Sequence, residues 1–399
     1  TMPTLTGVRS FVIKTEPPHK GGMHWYFLKL ETDDGLEGWG ETAVLSCFRG
    51  LESSYDSLIK EIFDAHLKGE NALDRERLHH RLYQKLTHLH PDYSTFGIIS
   101  AFDTALWDLA GKHYNTPVYE LLGGKFRDRI RTYSYIYDDS DPSSLRSTGI
   151  AWVSDPERMG ELAASYVAEG FTGLKFDPLI QNKEAQNIQQ PWDLPQKELG
   201  MGARVVGAVR EAVGEEADIL IGTHGQITPA AAIRFAKRIE QYDPLWLEEP
   251  CPPENCEEMA RVAAATSIPV STGERLVTAH EFQRLFQAKA CAVAQPDLGS
   301  AGGITAVKKI AALAETHYVL MAPHVWGGPV ITAAALQIDA SIPNFLIQES
   351  IGKSDGFFNE IVKQALVWEK GDLLVPDRPG IGVELDEAVL EKYLVSNSN

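Results

Sequence analysis

Alternating apolar and polar residues mark the beginning of the chain. The alternation runs over residues 26–30 and 37–41, and Asp33-Asp34-Gly35 between the two runs is typical of a hairpin turn. A period of two places one face of a strand against a core and the other face toward water. Residues 4–45 are therefore predicted to form antiparallel sheet.

A helical pattern follows this sheet. Between about residues 55 and 122, apolar side chains recur at intervals of three and four, most clearly over 98–113, and Gly123-Gly124 stops the last helix. Strands followed by helices predict a compact α+β domain over residues 1–128, which we call the capping domain.

The chain then changes to short β-rich runs that alternate with amphipathic helical stretches. Four of the helices are predicted at 229–241, 256–266, 279–288 and 303–316. Eightfold alternation of strand and helix is the pattern of a (β/α)₈-type, TIM-like barrel in the α/β class. The eight candidate strands lie at 132–137, 173–176, 218–222, 246–248, 270–273, 292–295, 318–322 and 345–348.

The predicted barrel spans residues 129–370, and the C-terminal segment 371–399 is predicted to pack back on the capping domain and complete it. An open, doubly wound sheet is the alternative for the same alternation of elements. The glycine-rich phosphate signature that would follow its first strand is missing from the sequence. Polar stretches at 138–156 and 178–196 follow the first two barrel strands, and long loops at this end of a barrel shape the active site.

Charge and cysteine content narrow the class of function. The 37 Lys and Arg against 55 Asp and Glu give a net charge of −18. Such a chain repels nucleic acid and anionic membranes, so we expect neither as a partner. The four cysteines show no C-x-x-C spacing, and the N-terminal residues show no charged region followed by an apolar run. A cytoplasmic protein with reduced thiols is expected.

Polar residues stand at the ends of seven consecutive predicted barrel strands. The carboxyl ends of the strands form the active-site floor of such a barrel, so these side chains are predicted to converge. One carboxylate or histidine after a strand is more often a helix cap or a structural residue, but seven at nearly constant spacing are hard to obtain by chance. In chain order they are Lys175 with Asp177, His224, Glu248, Glu274, Asp297, His324 and Glu349.

These residue types suit chemistry on an α-proton. Clustered carboxylates repel one another unless a cation offsets them, so Glu248 and Glu274 predict a hard divalent cation, with Mg²⁺ the usual choice. A cation beside a substrate carboxylate stabilises the charge that forms as an α-proton leaves. Asp297 and His324 are predicted to pair and take that proton, while His224 donates a proton to a leaving hydroxyl. Loss of the α-proton together with loss of the hydroxyl is dehydration.

Several runs of the sequence resemble the enolase superfamily and, within it, the mandelate racemase group. The likeness extends to 101–111 in the capping domain and to 379–385, and so covers essentially the whole chain. His224-Gly225-Gln226-Ile227-Thr228-Pro229 further resembles the H-x-R-x-T-P stretch of acid-sugar dehydratases that act on mannonate or galactonate. The superfamily runs are Leu247-Glu248-Glu249-Pro250, Ser271-Thr272-Gly273-Glu274-Arg275, Gln295-Pro296-Asp297, Gly302-Gly303-Ile304 and Pro323-His324.

The resemblance implies a role for each strand-end residue. It implies His324 as general base and His224 as general acid. It implies that Glu349 hydrogen-bonds the substrate carboxylate or enediolate and that Lys175 stabilises this carboxylate electrostatically. For Lys175, an ion pair with Asp177 or Glu349 is the alternative. The resemblance also implies a homo-oligomer, either a dimer or an octamer.

Three positions depart from the family pattern. Gly222 stands where the family has an aspartate metal ligand, and His224 is one candidate to replace that ligand on the Mg²⁺. Asp177 stands where a second basic residue is expected, which argues against a two-base racemase. Gln226 replaces the usual arginine at a substrate contact.

Residues near the strand ends and in the capping domain are candidates for binding the substrate. Arg275 and Gln226 lie beside strand-end residues, and early loops of the capping domain carry His24, Trp25 and Arg49. Their side chains could contact hydroxyls or a distal carboxylate of a sugar acid. For each of the three in the capping domain, an ordinary loop residue is an equally good interpretation.

The sequence thus predicts a hydro-lyase that converts an aldonic or aldaric acid into a 2-keto-3-deoxy sugar acid through a metal-stabilised enediolate. A cycloisomerase or epimerase of a related acid or lactone is a second hypothesis, because it uses the same enolate chemistry. A degenerate barrel that binds a sugar acid without turnover is a third, since one metal ligand is missing. A Schiff-base aldolase using Lys175 has the least support, because nothing apolar is predicted around this lysine to lower its pKa.

Overall fold

The computed structural model describes residues 2–43, 50–140, 155–179 and 195–395. Most of the polar loops predicted at 138–156 and 178–196 lies outside these ranges, and so does Arg49. In the described ranges, no helix is both long and apolar enough to cross a lipid bilayer. The three cysteines that the ranges contain are buried and free.

The N-terminal segment forms the predicted antiparallel sheet. Its three strands are β1 (Leu5–Lys14), β2 (His24–Thr32) and β3 (Glu37–Thr42), paired in that order. The predicted hairpin connects β2 to β3, and Gly35 in it adopts a φ of 86°, which glycine reaches without steric cost. Sheet and turn are therefore where the alternation predicts them.

Four helices follow the sheet. They are α1 (Glu52–His66), α2 (Arg75–Leu86), α3 (Tyr93–His113) and α4 (Val118–Leu121). Helix α3 begins at Asp92, whose carboxylate accepts the backbone N–H groups of Ser94 and Thr95. It is buried on all sides from Phe96 to Gly111, and a helix enclosed in this way needs apolar or small residues around its whole circumference.

The segment after α4 alternates between strands and helices, as predicted. Its early elements are β4 (Arg129–Tyr135), α5 (Pro156–Glu169), β5 (Gly173–Phe176), α6 (Gln196–Val213), β6 (Asp218–Gly222), α7 (Pro229–Ile239) and β7 (Trp246–Glu248). The later elements are α8 (Cys256–Ala264), β8 (Val270–Thr272), α9 (Ala279–Gln287), β9 (Val293–Ala294), α10 (Gly303–Thr316), β10 (Leu320–Met321), α11 (Pro329–Ser341) and β11 (Gln348–Glu349). We call this segment the α/β domain.

The strands of the α/β domain pair in parallel in chain order. Strands β4 to β10 are consecutive neighbours in one sheet, and β11 pairs in parallel with β4. Met321 and Phe345 form a further parallel bridge, between β10 and the residues just before β11. The predicted parallel sheet with helical connections is confirmed. Parallel pairing also brings the carboxyl ends of these strands to one side, where a site can form.

Several predicted boundaries differ from the observed ones by a few residues, and two of the differences have clear local causes. Strand β10 begins at Leu320, because Tyr318 adopts a φ of 57° and is 96% exposed in the turn after α10. A left-handed residue at this place ends the helix and redirects the chain. Helix α7 ends at Ile239, before the predicted end, since Glu240–Tyr242 continues as a 3₁₀ turn.

The C-terminal segment returns across both parts of the molecule. Its elements are α12 (Phe357–Glu360), β12 (Trp368–Glu369), β13 (Asp372–Leu374) and α13 (Glu387–Leu390). Strand β13 pairs antiparallel with residues 129–131, which explains why β4 begins earlier than predicted. Farther on, Ile13 of β1 forms an antiparallel bridge with Leu394. The described part of the return therefore contacts the capping domain.

Buried carboxylates join the capping domain to the rest of the protein. Glu41 of β3 accepts the backbone N–H groups of Val330 and Ile331 at 3.2 Å each, at the start of α11. Asp108 of α3 accepts those of Trp39 and Ile381 at 2.9 Å each. Such charged acceptors hold backbone donors that would otherwise be buried without partners. The Glu41 contacts fix how the capping domain sits over the α/β domain, and the Asp108 contacts hold the C-terminal segment to the capping domain.

We predict that Asp108→Ala lowers the free energy of unfolding by about 2–3 kcal/mol, because it leaves two buried N–H groups without their acceptor. It also removes one of the two carboxylates that pair with the Lys112 ammonium. Asp64→Ala on the surface of α1 is the matched control and should change it by less than about 0.5 kcal/mol. Urea unfolding followed by circular dichroism measures both. Equal effects of the two substitutions would contradict the role given to Asp108.

Candidate active site

A buried lysine occupies the middle of the strand-end residues. Lys175, at the end of β5, is 1% exposed, and its Nζ lies 2.7 Å from Glu349 Oε2 and 3.1 Å from each carboxylate oxygen of Glu248. The rings of Tyr133 and Tyr135 flank the ammonium at 5.1 Å and 4.6 Å. Of the two ion-pair partners considered for this lysine, the structure selects Glu349 and adds Glu248.

The surroundings of Lys175 keep it charged. Burial lowers the pKa of Lys175, but the charges of Glu248 and Glu349 outweigh this effect and raise the pKa above its usual value. Aromatic rings do lie beside the lysine, contrary to the expectation that nothing apolar surrounds it. The pKa nevertheless moves in the direction opposite to that required of a Schiff-base nucleophile. The aldolase hypothesis therefore loses its remaining support.

A histidine–carboxylate pair lies on one side of the lysine. His324 Nδ1 is 2.6 Å from Asp297 Oδ2, and the same two residues form a parallel bridge just beyond β9 and β10. The other ring nitrogen, Nε2, lies 3.4 Å from Glu274 Oε2 and 3.8 Å from Glu349 Oε1. Asp297 thus orients the ring and leaves Nε2 directed toward the site.

The charges around His324 favour its protonated form. Burial lowers the pKa of His324. The charge of Glu274 and the hydrogen bond to Asp297 outweigh this effect and raise the pKa to about 10. Burial likewise raises the pKa of Glu274, but the charges of His324, His224 and Lys175 outweigh it and lower that pKa. A proton bound at Nε2 of His324 is therefore strongly stabilised by the site.

A second histidine–carboxylate pair lies on the other side. His224 Nδ1 is 3.0 Å from Asp177 Oδ2, and its Nε2 is 3.3 Å from the hydroxyl oxygen of Tyr135. Gln226 donates its amide to the same Asp177 oxygen at 3.0 Å and accepts the backbone N–H of His224 at 2.5 Å. Burial lowers the pKa of His224, but the hydrogen bond to Asp177 raises it above its usual value. Its side chain remains 33% exposed.

Comparison with known proteins places this geometry in a family. Residues 19–123 match the N-terminal domain of the mandelate racemase/muconate lactonizing enzyme family, and residues 158–389 match the enolase C-terminal domain-like family. The chain belongs to the mandelate racemase/muconate lactonizing enzyme family of the enolase superfamily. The predicted family is confirmed.

Relatives along nearly the whole chain carry dehydratase names. D-xylonate dehydratase of Haloferax volcanii is 32% identical over 94% of this chain and 86% of its own length. D-galactonate dehydratase of Variovorax paradoxus is 34% identical over 91% and 89%. A solved mandelate racemase/muconate lactonizing enzyme from Jannaschia sp. CCS1 superposes with a TM-score of 0.90 at 37% identity, covering 99% of both chains. The prediction of an enzyme of the hydro-lyase class is confirmed.

The side chains of this chain do not fit the Mg²⁺ that members of the superfamily use. Both oxygens of Glu248 face the Lys175 ammonium, and Gly222 supplies no third ligand. His224, the candidate replacement, directs Nδ1 to Asp177 and Nε2 to Tyr135. Among the described residues, no group of three His, Cys, Asp or Glu side chains is arranged to hold a metal ion. The predicted ligands Glu248, Glu274 and His224 are thus not brought together as a ligand set.

The predicted substrate-binding residues have various positions. Arg275 Nη2 lies 2.7 Å from Glu254 Oε1 in a half-exposed ion pair, and His24 Nδ1 lies 3.7 Å from Glu52 Oε1. Trp25 is 2% exposed, packs on Phe358, and donates its indole N–H to the carbonyl of Gly21 at 2.9 Å. Its ring is therefore part of the contact between the domains and presents no free polar group to a substrate. Arg49 lies outside the described residues.

One residue of the site was not predicted from the sequence, and a second has a role other than the predicted one. Tyr135 ends β4, the one barrel strand at which no polar residue was singled out, and its hydroxyl donates to the carbonyl oxygen of Gly222 at 2.8 Å. Asp177, predicted at a strand end in place of a second basic residue, is the carboxylate partner of His224. Its place at a strand end, like that of the other seven, was the signal that it belongs to the site.

We predict that Lys175→Met lowers the free energy of unfolding by about 3–5 kcal/mol, because two buried carboxylates lose their shared counter-ion. Combining it with Glu248→Gln should recover part of the loss, since the double variant buries one charge fewer. Urea unfolding of the three proteins measures this. If the two substitutions were additive, with no recovery, Lys175 and Glu248 would not be coupled as described.

Proposed function

We propose that the protein dehydrates an aldonic or aldaric acid to a 2-keto-3-deoxy sugar acid. The observation that carries the proposal is a pair of histidine–carboxylate couples, His324 with Asp297 and His224 with Asp177, on either side of a buried ammonium. Dehydration requires one group to take a proton from carbon and another to give a proton to oxygen. The names of the D-xylonate and D-galactonate dehydratases support the same substrate class.

We assign His324 as the base of the first step, abstraction of the α-proton. Its neutral form accepts the α-proton of the sugar acid at Nε2, the nitrogen that Asp297 leaves free. Neutral imidazole is the minor form at pH 7, because neighbouring carboxylates raise the pKa of His324 to about 10. The same carboxylates stabilise the imidazolium once the proton has moved, which makes His324 a strong base for a weakly acidic C–H bond.

Negative charge then develops on the substrate carboxylate and must be stabilised. Lys175 is the cation nearest the middle of the site, 2.7 Å from Glu349. Glu349 accepts the backbone N–H of Val325 at 3.1 Å, which fixes its position between Lys175 and His324. We assign Lys175 to the electrostatic stabilisation of the enediolate. We assign Glu349 to a hydrogen bond with the substrate carboxylate, which Glu349 donates when its carboxyl carries a proton.

The second step assigns His224 as the acid. Its Nε2 carries the proton that is passed to the β-hydroxyl as the C–O bond breaks, so the group leaves as water. Asp177 and Gln226 act as positioning residues, since they hold the ring and the backbone of His224. The enol that remains tautomerises to the ketone. An epimerase would instead need a second base for carbon, and Asp177 is committed to His224.

Three structural proposals accompany this function. We propose that the eight parallel strands close into a barrel, which the pairing of β11 with β4 and the bridge between Met321 and Phe345 support. We keep the domain division at 1–128 and 129–370, with 371–399 added to the capping domain. We also propose a homo-oligomer, with Arg275, Gln226 and His24 as contacts of the sugar acid.

A library of aldonic and aldaric acids tests the proposed function. We expect one or a few acids to yield a keto product that reacts with semicarbazide, and we expect no product with His324→Asn as the matched inactive protein. Activity assays with and without Mg²⁺ belong to the same screen. The absence of keto product from every acid under both conditions would contradict dehydration.

Substitutions of the two histidines are predicted to have different effects on the reaction. His324→Asn should abolish both product formation and exchange of the substrate α-proton for solvent deuterium. His224→Asn should lower product formation by about 10²–10⁴-fold but retain exchange, because it removes only the acid for the leaving hydroxyl. Proton NMR in deuterated water follows both. Loss of exchange in His224→Asn to the same extent as product would overturn the division of roles.

A further inference from the structure

The stem of Lys175 passes through the space that a side chain at position 222 would need. A Cβ atom built on Gly222 would lie 2.7 Å from Cγ and 2.9 Å from Cδ of Lys175, and 2.5 Å from the hydroxyl oxygen of Tyr135. Real Cβ atoms do not approach other heavy atoms so closely. Glycine at position 222 and the observed path of Lys175 therefore depend on each other.

The ammonium at the end of this stem binds Glu248, one of the carboxylates predicted to bind the metal. Both oxygens of Glu248 lie 3.1 Å from Lys175 Nζ, and its Oε2 also accepts the indole N–H of Trp246 at 3.2 Å. Mg²⁺ requires oxygen ligands at about 2.0–2.1 Å in near-octahedral order. Glu248 would have to give up the ammonium to bind it, and Glu274 would remain the one other ligand of the predicted set.

We propose that the Lys175 ammonium replaces the divalent cation in this protein, so that the enediolate is stabilised without a metal. The proposal rests on the proposed function, since it names the charge that the dehydration uses. A buried point charge held by two carboxylates and two aromatic rings is preorganised, and such a group stabilises developing negative charge without reorganisation. The lysine forms and breaks no covalent bond, and its proton stays on nitrogen.

The replacement also explains why β6 ends in glycine and in no larger residue. An aspartate at 222 would displace the lysine stem and add a third carboxylate beside Glu248. Restoring the ligand alone should therefore not restore a metal site. Removing the lysine side chain at the same time should, because it frees the Glu248 oxygens and the space of the lysine stem. Only the Tyr135 hydroxyl, at the far end of a side chain, then has to shift to admit a side chain at 222.

Titration of the protein with Mn²⁺, followed by the EPR signal of the free ion, tests the proposal without reference to turnover. We expect the wild type and Gly222→Asp to bind Mn²⁺ with a dissociation constant of about 1 mM or weaker. We expect Gly222→Asp combined with Lys175→Ala to bind it at least about tenfold more tightly. Lys60→Met, which removes an exposed lysine of the capping domain, is the matched control and should leave binding unchanged.

Turnover supplies the second part of the test. With an acid found to be a substrate, we expect product formation by the wild type to be unchanged by EDTA, and Lys175→Met to lower it by about 10²–10³-fold while Lys60→Met does not. Thermal unfolding confirms that each variant is folded at the assay temperature. If the variants that lack Lys175 do not fold, the Mn²⁺ titration of the wild type and the effect of EDTA on its turnover still decide the question.

Failure of this inference differs from failure of the proposed function. Tight Mn²⁺ binding by the wild type that is lost in Glu274→Gln, or turnover abolished by EDTA, would overturn metal-free stabilisation and leave dehydration standing. If no acid yields a keto product, dehydration is contradicted. In that case, weak Mn²⁺ binding by the wild type and tighter Mn²⁺ binding by the double variant would still support the replacement of the metal by Lys175.

Discussion

The ion pairs of one buried ammonium group set the arrangement of the active site. Lys175 lies between Glu248 and Glu349, which come from strands on opposite sides of it in the sheet, and an unpaired charge at this depth would cost several kcal/mol. Glu349 in turn faces His324. Glu248 pairs with Gly222 at the end of β6, two residues before His224. The two proton-transfer histidines are therefore positioned around a charge that the fold itself must neutralise, so that stability and electrostatic function rest on the same contacts.

The scaffold supports this arrangement from outside. Parallel strands bring Lys175, Glu248 and His324 to one side of the sheet. Buried carboxylates hold the capping domain to the α/β domain, among them Glu41, which accepts from the start of α11, and Asp103, which accepts the backbone N–H of Thr305 in α10. Trp25 packs in that contact. Water is excluded from the ammonium and its partners, which are at most 3% exposed, and low exposure strengthens each electrostatic interaction.

Much of the site could be predicted because its residues follow from strand periodicity. Each polar residue at a strand end has one possible direction, so the pairing of Asp297 with His324 on neighbouring strands was predictable. The partner of Lys175 was not, because a flexible stem reaches several carboxylates and its path depends on the space left by Gly222. The role of Tyr135 was not predicted, because a tyrosine at a strand end is typical of a hydrophobic core. The burial of Trp25 was not predicted, because it depends on which domain covers this residue.

The central claim is that a lysine ammonium occupies the place of the cation in this site, and anomalous diffraction from a crystal soaked in Mn²⁺ tests it most directly. We expect no anomalous peak beside Glu248 and Glu274, and Lys175 Nζ within hydrogen-bonding distance of Glu248 and Glu349. A peak coordinated by Glu248 and Glu274, with Lys175 displaced from them, would contradict the account.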